Sequence, residues 1–416
     1  MSLWSDNRLE KPPAIIAMLD TEPKFNPKIH SEGIAPTNCS EMAKIAGPLQ
    51  PASKGFLSLP TELLSHVISY LTPVQIRYEH LMISAYCIGS SSNTEDFLVR
   101  LRILRVLSQL SRLSRVIFLP ILWERLQVCL TSKPGWQSHR YIGDALERKC
   151  KGLLASKHLW SYVKVVTVAL LEFYSSQVMP PFVQLLSELP NIHTLEILYV
   201  TSDIPNPGSF EAHFRGRTFP SIEKVVLPAY ARKILRCCPN LREVTCNRDL
   251  GEPGELVDTL IHIGLPKLEV IRGFTIGSVP LKRLSKVSPS LRCIRVDGRV
   301  FTRRNPTGDI LQLSAYSVLR SLRVIEIECF QNNNLDFSVK LASDVLRICA
   351  GNESATKNHR SRKDTSNTKM SEDNPSKSID EEVRLVRVLR YEYNTIYGRT
   401  ASDFVPVKVE EFPVKT

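Results

Sequence analysis

Apolar residues in this chain follow two different periods, and the change from one to the other divides it. Within residues 58–71, Leu63, Leu64, Val67, Ile68 and Leu71 recur at helical spacing and make one stripe. Pro60 suits the first helical turn, where its missing N–H has no partner to lose. Glu62 adds a negative charge at the positive end of the helix dipole. Thr72-Pro73 ends that helix and caps the next. Across 97–118, Leu98, Leu101, Leu104, Leu107, Leu110, Leu113 and Ile117 return every three or four residues, so more helix is expected. Pro120 predicts a turn or a new helix start, and Leu122 and Trp123 offer apolar surface to close the module. So short a stripe cannot bury itself; it packs on its own later helices, on a partner, or on both.

Beyond residue 151 the period changes to apolar, two residues, apolar, one residue, apolar. The copies are Val163/Val166/Val168, Ile192/Leu195/Ile197, Ile222/Val225/Leu227, Leu241/Val244/Cys246, Leu291/Ile294/Val296, Leu322/Ile325/Ile327 and Val383/Val386/Val388. In the copy Leu268/Ile271, Gly273 stands in the third position. Pro190, Pro220, Pro239, Pro266 and Pro289 each lie two residues before a copy. Proline has no N–H to give a sheet, so it belongs just ahead of a strand. Segments 182–189, 229–238 and 256–264 between copies have helical patterns. The intervals of roughly nineteen to thirty-one residues are those of stacked repeats. One short strand and one helix per unit predict a curved parallel sheet with helices outside.

Two resemblances follow. Leu59, Pro60, Leu63, Leu64, Val67, Ile68, Leu71 and Pro73, with Leu110, Ser111, Arg112, Leu113, Pro120, Leu122 and Trp123, resemble the F-box, the adaptor-binding motif of SCF-type ubiquitin ligase receptors. Between Ile76 and Leu104 the chain holds roughly twenty-five residues more than a compact F-box needs, including Gly89-Ser90-Ser91-Ser92-Asn93, a loop composition. The repeated segment resembles a degenerate leucine-rich-repeat solenoid of the kind that follows the F-box in many fungal receptors. It lacks the Asn or Cys expected after each strand; Val200, Tyr230 and Asp249 stand there. The expected class is α/β, a helical F-box-like module followed by a leucine-rich-repeat-like solenoid. The expected boundaries are a disordered tail at 1–54, the module at 55–130 with an inserted loop near 77–97, and the solenoid at 131–350. A disordered polar insertion at 351–381 follows, then a final repeat strand and tail at 382–416. The F-box resemblance implies docking on a Skp-type adaptor and, through it, a cullin–RING core, with Leu59, Pro60, Leu63, Leu64, Val67, Ile68, Leu71, Leu122 and Trp123 on or near that face. The solenoid is then expected to hold a client protein. The runner-up is a repeat scaffold without a ligase role.

Composition changes this picture little. The 416 residues carry a formal charge of +12, which permits acidic or nucleic-acid partners without naming either. Basic residues such as Arg215, Arg217, Arg232, Lys233, Arg236, Arg303 and Arg304 lack interleaved aromatics, so an acidic or phosphorylated client is expected before a nucleic acid. The ten cysteines include no CxxC pair, and the nine histidines form no HExxH. No phosphate loop or nucleophile elbow occurs, so no catalytic residue, cofactor or metal is expected. The first residues lack an apolar signal core and no stretch reaches a membrane span, so a cytoplasmic or nuclear chain with reduced thiols is expected.

Overall fold

A computed structural model describes residues 66, 68–71, 92–131, 137–170, 175–200, 212–247, 253–274, 278–297, 315–330, 335–364, 383–391, 393–396, 399–402 and 408–414. Two helices come early, α1 (Ser92–Leu110) and α2 (Arg112–Trp123). The leucine period runs through Ser111, yet the helix breaks there. The Ser111 side chain accepts the Ser114 N–H at 3.1 Å and caps α2. Pro120, expected at a turn or a fresh start, lies inside α2 instead. Its ring removes a hydrogen bond to the Val116 carbonyl, on a residue that is 71% exposed, where water can replace it. Helical bonding resumes when Glu124 N–H donates to the Pro120 carbonyl at 2.8 Å.

The sheet begins directly after α2. Its strands are β1 (Arg125–Val128), β2 (Val165–Leu170), β3 (Thr194–Val200), β4 (Lys224–Pro228), β5 (Glu243–Asn247), β6 (Val270–Arg272), β7 (Cys293–Asp297), β8 (Val324–Phe330) and β9 (Arg384–Tyr391). Their order in the sheet is their order in the chain, and all neighbouring pairs are parallel. Helices fill the connections: α3 (Gln137–Ala155), α4 (Ser175–Glu188), α5 (Pro253–Ile263), α6 (Ser278–Val287) and α7 (Leu335–Asp364), with 3-10 turns at Lys157–Tyr162, Ala229–Cys237 and Ala315–Val318.

The recurring motif explains the stacking. Val166, Leu195, Val225, Val244, Ile271, Ile294, Ile325 and Val386 form one register row across the sheet, none more than 2% exposed. The first apolar residues of the copies, from Val163 through Leu322, sit in the turns ahead of the strands and are buried too. Each lead-in proline precedes its strand by four residues, as Pro190 precedes Thr194 and Pro289 precedes Cys293. One residue before the strands, the N–H groups of Lys164, His193, Glu223, Arg242, Glu269, Arg292 and Arg323 each donate to the carbonyl one unit earlier, at 2.7–3.0 Å. The stack is therefore bonded unit to unit before the strands begin.

Gly273 shows why one copy lacks its third apolar residue. Its φ is 78°, and a Cβ there meets the Cys246 carbonyl of the neighbouring unit. The approaching backbone occupies the space that a side chain fills elsewhere.

Several expected boundaries shift. The sheet starts at β1, within the segment assigned to the helical module. α7 continues past Gly351 to Asp364, so the first half of the tract expected to be disordered is helical. That stretch contains Ala355, Lys357, Arg360 and Arg362, which favour helix, and no proline. Residues 365–382 lie outside the described ones. The expected tail is structured: β10 (Tyr393–Ile396) and β11 (Arg399–Ser402) form a hairpin, and β12 (Lys408–Val414) pairs antiparallel with β9. In the last copy Val383 is 69% exposed and Arg384 is buried in its stead. The Arg384 guanidinium donates to the carbonyl of Leu322 at 2.6 Å, which makes the burial tolerable.

Candidate functional site

The α1–α2 hairpin has two apolar faces. The inner face places Phe97, Leu98 and Leu101 against Cys129, Ala169 and Leu198, on the side of β1–β3 away from the main core. Leu104 and, from α2, Phe118 are fully buried. Ser114 reaches from α2 to the Leu107 carbonyl and ties the two helices. Arg100 points inward as well. Its Nε donates to the Leu71 carbonyl at 2.7 Å, which fastens the end of the segment at residues 66–71 to α1. Burial lowers the Arg100 pKa, and the nearby Arg125 charge lowers it further.

The outer face is open. Val99, Ile103, Val106 and Leu110 succeed one another at helical spacing on α1, and Leu113 and Val116 follow on α2; all are between 40% and 71% exposed. Such a run of large apolar side chains left in water marks an interaction surface. Arg102, Arg105, Arg112 and Arg115 are exposed alongside it. Among the described residues, none of these arginines pairs with a carboxylate.

The open face of the sheet is different in kind. Glu326 on β8 is 2% exposed and accepts from Arg272 at 2.9 Å, Arg295 at 2.8 Å and Arg387 at 3.1 Å. Burial pushes its carboxyl pKa up, but the hydrogen bond from Arg272 and the charges of Arg295 and Arg272 outweigh this and hold it at about 2. Arg272 also pairs with Glu243, Arg295 with Glu328, and Arg387 with Glu411. Toward the other end, Glu196 takes Arg125 at 3.2 Å and Thr167 at 2.7 Å. The arginines of this face are thus engaged by the chain's own carboxylates.

Among the described residues no nucleophile stands out. The described cysteines are all buried. Burial pushes the Cys129, Cys150 and Cys293 thiols up to about 12, away from the reactive thiolate. Among the described residues no group of three or more His, Cys, Asp and Glu is placed to hold a metal. Nor, among them, is any helix long and apolar enough to cross a membrane.

Of the residues expected on the adaptor face, Leu59, Pro60, Leu63, Leu64 and Val67 lie outside the described ones. Ile68 is half-buried, and Leu71 is buried at the carbonyl that Arg100 holds. Leu122 is half-buried, and Trp123 packs against the main core together with Leu119. Arg303 and Arg304 fall outside the described residues, while Arg232 pairs with Glu255 at 2.7 Å. Val99, Ile103, Val106 and Val116 are not among the expected residues, although they carry the same helical period; of the leucines, Leu104 is buried while Leu110 and Leu113 join the exposed stripe.

The architecture defines a class: an α/β stack of parallel strand–helix units carrying a helical hairpin at its start. No family model matches the chain, and no curated protein is similar to it. A solved structure titled as a TLR13–ssRNA13 complex shares 13% identity over 42% of this chain, with a TM-score of 0.23. The match spans 31% of that chain, and so low a score carries no argument about fold or function.

Proposed function

We propose that this chain is the substrate-recognition subunit of an SCF-type ubiquitin ligase, with no bond chemistry of its own. The hairpin docks on a Skp-type adaptor, and the leucine-rich-repeat-like stack holds a client protein. The observation that carries the reading is the exposed apolar stripe from Val99 to Val116, beside the residues whose sequence resembles an F-box. An interface needs a few apolar anchors that the subunit itself leaves uncovered. Mechanistically the subunit raises the effective concentration of client lysines near activated ubiquitin. It therefore needs two surfaces and a stiff span, and the bonded units supply the span. The acidic or phosphorylated client suggested by composition would engage exposed basic residues such as Arg215 and Arg217 rather than the paired arginines of the sheet face.

The direct test is co-purification of the full chain with a recombinant Skp-type adaptor and cullin. Ile103→Asp with Val106→Asp should abolish capture while the thermal melt stays within a few degrees, because both positions are exposed. Undiminished capture by the folded double variant removes this assignment. One observation favours a second reading, a repeat scaffold capped by the hairpin: α2 runs straight into β1 and Trp123 packs on the repeat core. On that reading the wild-type chain captures neither adaptor nor cullin.

A further inference from the structure

The docking reading treats the stripe as apolar; its charge is a separate matter. On a helical projection of α1, Phe97, Leu104 and Ser108 define the buried side and Val99, Ile103, Val106 and Leu110 the outer one. Arg102 and Arg105 lie together on one flank between these two sides. On α2, Arg112 and Arg115 are exposed, one residue before Leu113 and Val116 respectively. The exposed acids of α1, Glu95 in its first turn and Asp96 just after it, do not pair with these arginines. On the open sheet face, by contrast, Glu326 alone neutralises three arginines. The four arginines beside the apolar stripe have no carboxylate partner among the described residues and keep their charge available to a partner.

We infer that Arg102, Arg105, Arg112 and Arg115 are specificity residues of the docking face, and that the partner presents carboxylates along the margin of its apolar groove. The inference rests on the proposed docking of this hairpin. An apolar stripe alone accepts any greasy surface, whereas guanidinium groups beside it favour an acidic margin and reject basic partners. Exposed charges at a rim act mainly on encounter, with an attraction that salt screens over about 10 Å at 0.1 M.

Surface plasmon resonance of the full chain on immobilised Skp-type adaptor, at about 50 and 500 mM salt, tests this. Reversal of all four residues (R102E, R105E, R112E, R115E) should slow association about tenfold or more at low salt and flatten its salt dependence, while dissociation changes less than about threefold. Val106→Asp, measured beside it, should lose binding at either salt. If the reversed variant, folded by its melting curve, associates within twofold of wild type while Val106→Asp fails, the charge inference is wrong and the docking reading stands. If both variants bind as wild type does, or the wild-type chain does not bind, both are wrong.

Discussion

Gly273 and Glu326 are two residues at which the stack tolerates little change. At Gly273 a side chain must accept a φ of 78° and displace the Cys246 carbonyl. Gly273→Ala should therefore cost roughly 2–4 kcal/mol, seen as a lower urea midpoint with an unchanged slope. A midpoint equal to wild type contradicts the close approach. Glu326→Gln leaves Arg272, Arg295 and Arg387 around a neutral amide, and breaking a buried pair in this manner typically costs about 3–5 kcal/mol. The pH dependence has a definite sign. The folded carboxyl titrates near 2 against an ordinary value of 4.5, so its stabilisation is complete above 4.5 and drains away as the pH falls toward 2. Melting temperatures between about pH 2 and 6 should fall less steeply for Glu326→Gln than for wild type. Parallel curves refute the assignment.

At the level of elements, the chain announces its strands more clearly than its helices. The buried triplets mark β2 through β8, with a proline ahead of β3 through β7, because each parallel strand must fill the same slots against its neighbours. β1 carries the same spacing in Trp123, Leu126 and Val128, but Trp123 is also the last residue of α2, so the helical pattern hides it. β12 escapes because Lys-Val-Glu-Glu-Phe-Pro-Val, an edge strand, carries three charges and a proline among its seven residues. α1 is legible as a helix but not in its orientation: it is apolar on opposite sides, and period alone cannot say which one meets the sheet. The division at Ser111 is equally hidden, for serine suits a cap and an exposed helical position alike. It has a measurable consequence. Ser111→Ala removes the acceptor for the Ser114 N–H and should lower stability by about 1 kcal/mol, read by chemical unfolding. On the proposed docking, adaptor affinity should fall with it, because Leu110 and Leu113 flank that turn. Unchanged stability argues that the cap is not used.

The whole molecule is held together by neighbour-to-neighbour contacts, so its ends deserve separate treatment. Ending the chain after residue 382 strips β9 and β12, frees the backbone edge of β8, and takes Arg387 away from Glu326. The shortened protein should aggregate, with the monomer peak lost in size-exclusion chromatography; a soluble monomer of native melting temperature contradicts the role of these strands. The reversed direction of β12 has a further bearing on how such a molecule can change length. A parallel unit entering at that margin meets a strand running the wrong way, edged with Lys408, Glu410, Glu411 and Pro413. Gain of a further parallel module is therefore disfavoured at this edge of the sheet, where the antiparallel strand offers no matching ladder.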